Sequence, residues 1–376
     1  MALELTPLDE ATLSPGVLRA VGSATPAPLR EMAARGLAPL APPELLLALY
    51  QLAAPWSEAD RVAEMARASL DKMPEKLIAG ALSSATEPRV IDFVVRRRQG
   101  AELARAALLN RTSADETVAW LASVLDGAEL ELIARNEERL LRHPPIIAAL
   151  YLNRKTPLSL SVRAVELAVR NGIAVEGIPE FEAVRDSLMN LEATVSSGDD
   201  AAFEAALGPA AEAEPALDAG ELAAEGAENE GEEPPLHPEE QKRAVPIAKL
   251  SMIAKIRLAT LGDSFARGIL IRDSNRVIQM AAIHSPRVND QEVVRYAQHR
   301  GLSEDVIRYI TQQRHFVRLY AVKIGLVNNP KCPIGAAIGL LAHLQARDLR
   351  NVGRSKSVPA TLARAARELQ QKRQQQ

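Results

Sequence analysis

The chain has 376 residues, of which 47% are hydrophobic and only 3% aromatic, and its formal net charge is −3. Its one cysteine excludes an internal disulfide bond and favours a reducing compartment. The sequence has neither a secretory leader pattern nor the run of about 18 apolar residues that a spanning helix requires, so we expect a cytoplasmic protein without membrane insertion.

The composition favours an all-α fold. Small aliphatic residues, above all Ala, Leu and Val, dominate the apolar fraction. Few segments alternate between apolar and polar residues with the period of two that marks a half-buried strand. A chain of this length has room for two domains of ordinary size.

The small net charge conceals three blocks of very different charge. Residues 1–190 carry 21 basic and 25 acidic side chains, and residues 191–240 carry 15 acidic and no basic ones. Residues 241–376 carry 24 basic and 8 acidic side chains. Blocks of such different charge do not fit a single domain, so we predict two helical domains joined by an acidic linker.

The first part of the chain changes character near residue 40. Residues 1–40 are rich in Pro and Gly and are predicted to form a loosely ordered N-terminal arm, with one or two short helices as the alternative. The helical pattern becomes regular at Pro43 and resumes after Ser57–Asp60, which resembles an N-cap followed by an acidic first turn. We predict an N-terminal helical repeat domain over residues 41–190.

An apolar helix, a short break and a second apolar helix occur twice, in Arg139–Val165 and in His315–Leu341. An offset of 176 residues aligns the two copies. A shorter period is also present, because the tripeptide Leu-Asn-Arg begins at Leu109 and again, 43 residues later, at Leu152. Repeats of about 40–47 residues are typical of HEAT and armadillo proteins, so we predict two HEAT-like α-solenoid arrays.

The break between the helices has the pattern N-x-K-x-P in both copies. Asn tolerates the left-handed conformation that ends helices, so Asn153 and Asn329 are predicted to lie just past a helix C-terminus in that conformation. Pro is favoured at the first helical position, so Pro157 and Pro333 are predicted to begin the next helix, with Thr156 as an N-cap. These residues are predicted to have structural roles in turns and caps.

Residues 191–243 are predicted to be a disordered acidic Ala/Glu/Pro linker. The segment has too few apolar residues to offset the conformational entropy lost on folding. Phe203 and Leu207, four residues apart, are compatible with a transient docking helix, but we predict a solvated linker in which these residues are incidental.

The second, basic array is predicted over residues 244–376, with a frayed tail from Gln370 to Gln376. The pattern of apolar positions and caps predicts eight helices. Their predicted ranges are Ile247–Leu261, Ser264–Arg272, Asn275–His284, Asp290–Arg300, Ser303–Gln312, Val317–Val327, Pro333–Leu344 and Pro359–Gln370.

Units with N-x-x-T-P or N-P-x-x-P between short helices resemble the HEAT-like and leucine-rich-repeat-variant modules of bacterial proteins. The resemblance covers Ala106–Val169 and Ile271–Ala366, and the segments Arg272–Asn275 and Ser355–Pro359 are similar to those of a bacterial repeat protein type of uncharacterised function. It implies an α-solenoid with a groove for a partner and supplies no catalytic residue.

The sequence contains no recognisable catalytic, cofactor-binding or metal-binding pattern. None of the six histidines lies in an H-E-x-x-H motif or beside a cysteine pair. No nucleophile-elbow or phosphate-loop signature stands in a strand–turn–helix context. Cys332 is interpreted as a small half-buried residue of a turn rather than a reactive thiol. We therefore predict a protein that is not an enzyme.

The basic array offers the best candidate for a binding surface. Several of its arginines recur at spacings of four or five residues, which places pairs of them near one helical face. The residues predicted to bind a partner are Arg272, Arg276, Arg295, Arg300, Arg308, Arg314 and Arg318. We predict a scaffold or adaptor that holds an acidic protein partner on this array.

The alternative is a nucleic-acid-binding repeat protein that uses the same basic face for phosphates. Four aromatic residues are then available to stack bases, although their spacing among aliphatic residues fits core positions as well or better. They are Tyr296, Tyr309, Phe316 and Tyr320. In either case the acidic linker, tethered beside the basic domain at an effective concentration on the order of millimolar, is predicted to fold back and screen it.

Overall fold

The computed structural model describes residues 3–54, 61–189, 197–207, 247–355 and 357–375. Within these ranges the secondary structure consists of α-helices and one short 3-10 helix, without any strand, which confirms the all-α fold class. The chain divides into two compact units, Met1–Ile178 and Pro179–Gln376, and the helices of each pack in the repeat-like manner of an α-solenoid.

The first unit contains twelve α-helices among its described residues. They are α1 Pro15–Val21, α2 Ala27–Ala34, α3 Pro42–Ala53, α4 Arg61–Lys72, α5 Glu75–Ser83, α6 Pro88–Arg97, α7 Ala101–Leu109, α8 Asp115–Val124, α9 Ala128–Ala134, α10 Glu137–Arg142, α11 Pro145–Leu152 and α12 Leu158–Arg170. The main pairings place α5 against α7 and α8 against α11. Small and branched aliphatic side chains fill the space between these pairs.

The described part of the second unit also contains twelve α-helices. They are α13 Phe181–Met189, α14 Ser197–Leu207, α15 Met252–Leu261, α16 Ser264–Leu270, α17 Arg276–Ile283, α18 Asp290–Gln298, α19 Glu304–Gln312, α20 Arg314–Arg318, α21 Tyr320–Asn328, α22 Ile334–Leu341, α23 Ala346–Arg354 and α24 Ala360–Gln375. Here α15 packs against α17, α18 against α21, and α23 against α24. The two units therefore use the same kind of helix pair.

The N-terminal segment is folded onto the first unit and contains α1 and α2, so its described residues match the predicted alternative of one or two short helices and not a loosely ordered arm. The backbone N–H of Leu8 donates to Gln51 Oε1 at 2.8 Å, and Gln51 Nε2 donates back to the Leu8 carbonyl at 3.0 Å. The hydroxyl of Tyr50 donates to the Thr6 carbonyl at 2.8 Å. The segment is held because side chains of α3 form hydrogen bonds with its backbone groups. Sequence periodicity does not reveal such hydrogen bonds.

The second unit begins before the predicted boundary at residue 190. Both α13 and α14 pack against α15, although α13 lies within the predicted N-terminal domain and α14 within the predicted linker. Phe203, Ala206 and Leu207 of α14 are buried, so the interpretation of these residues as a solvated linker is wrong. The other parts of the predicted linker, 191–196 and 208–243, lie outside the described residues.

The helices of the second unit differ from the prediction in three places. The predicted helix Ile247–Leu261 is broken at Ser251, which has an extended backbone and is the N-cap of α15. The predicted helix Val317–Val327 is interrupted at Leu319, whose extended backbone separates α20 from α21. Helix α23 is missing from the predicted set because its sequence is strongly polar outside Leu349 and Val352, which are its buried residues. Short polar helices of this kind depend on tertiary packing more than on their own periodicity.

The C-terminal tail, which was predicted to fray from Gln370, continues as part of α24 to Gln375. Arg373 Nη1 donates to the Leu344 carbonyl at 2.7 Å, and Arg373 Nη2 donates to the Ala342 carbonyl at 2.5 Å. Both carbonyls lie just after α22, where helical acceptors have no partner within their own helix. The tail is therefore held in place as a cap for the end of α22.

Candidate functional site: the arginine-rich surface of the second unit

The recurring geometry of the repeat comes from asparagines that connect packed helices. Asn153 follows α11, and its Nδ2 donates to the carbonyls of Ala122 and Leu125, each at 2.9 Å, at the C-terminal end of α8. Its Oδ1 accepts the backbone N–H of Lys155 at 2.9 Å. One buried amide thus satisfies two carbonyls of one helix and holds the turn after another.

The same device recurs in the second unit. Asn329 follows α21, and its Nδ2 donates to the carbonyls of Ala297 at 2.9 Å and His299 at 3.3 Å, at the end of α18. Its Oδ1 accepts the backbone N–H of Lys331 at 3.0 Å. Asn110 makes the equivalent bonds to the end of α5. These asparagines therefore do more than end one helix, because each also bonds to the end of a neighbouring helix.

The conformation predicted for these turns is wrong in two respects. Asn153 has φ −78° and ψ 118°, and Asn329 has φ −85° and ψ 120°, so both are extended rather than left-handed. Pro157 and Pro333 are the N-cap residues, and the helices begin one position later. The extended backbone is required because it directs the Asn side chain towards the neighbouring helix end.

Cys332 is buried in the turn before α22, as its interpretation as a structural residue requires. Burial raises the pKa of its thiol to about 11. The thiol is consequently protonated at neutral pH, and only the thiolate is a good nucleophile.

All seven arginines predicted to bind a partner are exposed on the second unit. They come from α17, α18, α19 and α20 and from the turns that follow α16 and α18. Among them, Arg276 pairs with Asp305 at 2.8 Å and Arg308 pairs with Glu304 at 2.7 Å. Arg295, Arg314 and Arg318 make no ion pair with any residue of the described chain.

The acidic residues in the C-terminal part of the second unit, residues 252–375, are largely occupied by groups of the same stretch. Residues 252–375 contain eight acidic side chains, of which seven accept a hydrogen bond or ion pair from a neighbour. The seven are Asp263, Asp273, Glu292, Glu304, Asp305, Asp348 and Glu368. The remaining one, Asp290, lies exposed in the first turn of α18.

Seven exposed arginines of the same stretch have neither an ion pair nor a side-chain hydrogen bond with a described residue. They are Arg287, Arg295, Arg314, Arg318, Arg347, Arg350 and Arg354. Exposed positive charge is thus left over after the pairing within residues 252–375. An anionic partner has the matching charge for this surface.

The four aromatic residues considered for base stacking are engaged within the second unit. Tyr296 and Phe316 are buried, and the hydroxyl of Tyr296 donates to Glu292 Oε2 at 3.1 Å. The rings of Tyr309 and His284 form a T-shaped pair with centroids 4.3 Å apart. The hydroxyl of Tyr320 donates to Asp348 Oδ2 at 2.6 Å. These contacts agree with the interpretation that the four aromatic side chains pack within the protein.

Two arginines of the second unit are buried, and the sequence analysis did not single them out. Arg267 donates to Glu292 at 2.8 Å through Nε and at 2.5 Å through Nη2. Burial acts to lower the pKa of Arg267, but the hydrogen bonds and charge of Glu292 outweigh it and raise the pKa. Arg257 is completely buried in α15. A lone Arg within the apolar sequence of α15 is the signal that indicates a buried position.

One exposed surface of the second unit is uncharged. Ile334 and Ile338 are 48% and 42% exposed on α22, and they alternate with Gly335 and Gly339, above which there is open space. Helices α18, α20 and α22 all pack against α21, so this stripe and the arginines Arg295, Arg314 and Arg318 lie on helices around one central helix. Exposed apolar patches are typical of protein-binding surfaces.

A groove of the first unit lies among α7, α9 and α10 and has a volume of about 520 Å³. It is lined by Leu109, Arg111 and Arg135, and also by Asn110, which caps the end of α5. Glu137 and Glu138 lie at the same groove, so its charges are mixed and do not select one class of ligand.

No described helix is long and apolar enough to cross a membrane, and the described residues contain no group of three or more His, Cys, Asp or Glu side chains arranged to hold a metal ion. Comparison of the chain with protein-family models, curated proteins and solved structures found no match. What the structure shows is an all-α, repeat-like arrangement compatible with an α-solenoid, in which asparagine caps link the helix pairs.

Proposed function

We propose that the protein is a non-enzymatic helical repeat scaffold of the HEAT-like type whose second unit binds an acidic protein partner. The observation that carries the proposal is the imbalance between exposed arginines and occupied acidic groups in residues 252–375 of this unit. Helical solenoids use extended surfaces of this kind to hold partners. Because fold alone does not define function, the proposal depends on the side chains described above.

Arginine is well suited to this role. Its planar guanidinium donates two parallel hydrogen bonds to a carboxylate and remains charged at any physiological pH. Arg295, Arg314 and Arg318 are exposed and have no ion pair with a described residue, so they are available for carboxylates of a partner. Arg272, Arg276, Arg300 and Arg308 extend the predicted surface along the same unit.

Two observations favour a protein over a nucleic acid as the partner. The Ile334 and Ile338 stripe offers apolar area that a phosphate backbone does not use. Tyr296 and Phe316 are buried and do not present a ring face to a base. Nucleic acid remains the alternative ligand for the arginines, since phosphates and carboxylates bind the same group.

The acidic residues between the two arrays are proposed to screen this surface in the free protein. They compete with an acidic partner because they belong to the same chain and have the same charge as that partner. Deletion of residues 208–240 from the full chain is expected to increase affinity for an acidic probe and to steepen its salt dependence. Unchanged affinity and salt dependence would exclude screening without affecting the proposed binding surface.

The proposal is tested with a fluorescein-labelled oligoglutamate peptide and the full chain. The triple variant Arg295→Ala/Arg314→Ala/Arg318→Ala is expected to lower affinity by about tenfold or more, since each exposed pair contributes about 0.2–1 kcal/mol. The matched control replaces three exposed arginines of the first unit, Arg61, Arg105 and Arg163, and is expected to bind as the wild type does. An equal loss in both triple variants would contradict a specific role for the second unit.

A further inference from the structure

Helix α23 presents a row of arginines to solvent. Arg347, Arg350 and Arg354 are all exposed, whereas Leu349 and Val352 of the same helix are buried. With about 3.6 residues per turn, positions i, i+3 and i+7 fall within an arc of about 60° around the helix axis. At a rise of about 1.5 Å per residue, the row extends along about 10 Å of the helix. The three arginines form one narrow positive surface, which we call the α23 arginine face.

This face lacks the pairing that helical arginines have elsewhere in the described chain. Six of them form an ion pair with an acidic residue four positions away, namely Arg35 with Glu31, Arg96 with Asp92, Arg135 with Glu131, Arg170 with Glu166, Arg308 with Glu304 and Arg364 with Glu368. The three arginines of α23 have neither an ion pair nor a side-chain hydrogen bond with a described residue. Arg350 and Arg354 are instead four positions from each other, and like charges at this spacing weaken a helix slightly.

The contacts that hold α23 in place do not involve these arginines. Helices α23 and α24 pack so closely that a Cβ atom on Gly353 would lie 3.0 Å from Arg367 Cγ. The hydroxyl of Tyr320 accepts the backbone N–H of Gln345, the N-cap of α23, at 2.9 Å and donates to Asp348 Oδ2 at 2.6 Å. Asp348 is the one acidic residue in the sequence of α23, and this bond occupies it. Packing of the second unit therefore gives no reason for the row of positive charge.

A ligand for this face is anionic, and two observations favour a protein over a nucleic acid. No Phe, Trp or Tyr follows Tyr320 in the sequence, so α22, α23 and α24 offer no aromatic ring on which a base could stack. The arginines also recur with the period of an α-helix. Carboxylates at positions i, i+3 and i+7 of a second helix lie along one face in the same way, so a helix packed alongside α23 brings one carboxylate to each guanidinium.

We propose that the α23 arginine face is a docking surface for an acidic α-helix of a partner protein, whose Glu or Asp side chains recur at positions i, i+3 and i+7. The inference rests on the proposed function and assigns the partner a secondary structure and a spacing of its charges. Each guanidinium can donate two parallel hydrogen bonds to a carboxylate. A helix that already holds its carboxylates in register loses less conformational freedom on binding than a disordered acidic segment does. The spacing of the carboxylates, beyond their number, therefore determines affinity.

The test uses two fluorescein-labelled, alanine-rich helical peptides of about 20 residues with identical composition. One carries its three Glu residues at positions i, i+3 and i+7, and the other carries them at i, i+5 and i+10, on different faces of the helix. Circular dichroism verifies that the two peptides are equally helical. The full chain is expected to bind the in-register peptide about tenfold tighter at about 50 mM salt, since three exposed pairs contribute to it.

The variant Arg347→Gln/Arg350→Gln/Arg354→Gln is expected to bind the two peptides equally weakly. Its thermal unfolding midpoint is expected to stay within about 2 °C of the wild type, because no contact within the chain is lost. The variant Arg295→Ala/Arg314→Ala/Arg318→Ala is the matched control on the same unit. It is expected to bind oligoglutamate more weakly and yet to keep the preference for the in-register peptide.

The inference is overturned if the wild type binds the two peptides alike, or if the triple Gln variant keeps the preference. A large fall in the midpoint of that variant would also overturn it, because the arginines would then support the fold. A single-stranded DNA of equal charge that displaces the in-register peptide more effectively than unlabelled peptide would assign the face to nucleic acid instead. The oligoglutamate measurements with Arg295→Ala/Arg314→Ala/Arg318→Ala judge the proposed function separately from each of these outcomes.

Discussion

Asn153 and Asn329 make the same contacts in two units of the chain, 176 residues apart. Each donates from Nδ2 to two carbonyls at the end of the helix that packs against its own, and each accepts from the backbone two residues ahead through Oδ1. Ser285 takes this position after α17, where its hydroxyl donates to one carbonyl, that of Thr260, at 2.8 Å. The repeat is thus defined by a polar side chain that links helix ends.

Replacement of Asn153 by Ala is expected to destabilise the first unit by about 2 kcal/mol, because two buried carbonyls lose their donor. The measurement is urea unfolding of the full chain, followed by far-UV circular dichroism. Asn171→Ala is the control, since the exposed Asn171 side chain bonds only to Leu167 of its own helix. An equal effect of the two substitutions would show that the link between helices contributes nothing.

The buried Arg267–Glu292 pair gives a second prediction about stability. Arg267→Met is expected to destabilise the second unit by about 3–5 kcal/mol, because it leaves the carboxylate of Glu292 buried without its cation. The double variant Arg267→Met/Glu292→Gln is expected to be more stable than this single variant, since the uncompensated charge is removed. Unfolding curves of the three proteins decide the matter, and a double variant less stable than Arg267→Met would contradict the account.

Asp115 gives a prediction about pH. Hydrogen bonds from Arg142 hold the pKa of this carboxyl below its usual value of 3.8. A lowered pKa in the folded state contributes stability that is present above the unfolded value and is lost as the pH falls through the folded one. Because Arg142 is exposed, the contribution at neutral pH is expected to be small.

Asp115→Asn is therefore expected to lower the unfolding midpoint at pH 7 and to have a decreasing effect as the pH falls below 3.8. Asp126→Asn, which removes the exposed pair with Lys155, is the control and is expected to change stability little at any pH. Midpoints measured across this range test the linkage. A difference between wild type and Asp115→Asn that is independent of pH would rule it out.

Cys332 is expected to react slowly with iodoacetamide in the native protein at pH 7. Its thiol is buried, and its pKa is raised to about 11, so little thiolate is present and access is limited. The rate is expected to rise to that of an ordinary thiol when urea unfolds the protein. Labelling of the native protein at the rate of the unfolded protein would contradict this account and would indicate that Cys332 is a reactive thiol.

Much of the helical architecture follows from local sequence. The spacing of Asn153 and Pro157 predicts a helix–turn–helix unit, because Pro is disfavoured in helix interiors and the apolar positions on either side recur with the helical period. The reach of Asn153 to Ala122 is a property of packed helices and has no local signal. For the same reason the sequence indicates the residue and its turn but not the extended backbone that the contact requires.

For the candidate binding residues, too, local sequence predicts some features and tertiary packing determines the others. Exposure of Arg295 and Arg318 follows from their positions opposite the apolar faces of their helices. Arg267 has the same residue type but is buried, and only its three-dimensional proximity to Glu292 explains the difference. The composition around Phe203 favours solvation, whereas the residue is buried by packing on α15, a helix distant in sequence, where its ring lies 5.0 Å from the guanidinium carbon of Arg257.

The central claim is that the second unit binds an acidic protein partner rather than nucleic acid. The most direct measurement is fluorescence anisotropy of the full chain with two labelled ligands of equal net charge, an amphipathic Leu/Glu helix and a single-stranded DNA, from about 50 to about 300 mM salt. The account predicts tighter binding of the peptide, weakened by Arg295→Ala/Arg314→Ala/Arg318→Ala and by Ile334→Ser/Ile338→Ser. Tighter binding of the DNA, with a steep salt dependence and no effect of the isoleucine changes, would contradict it.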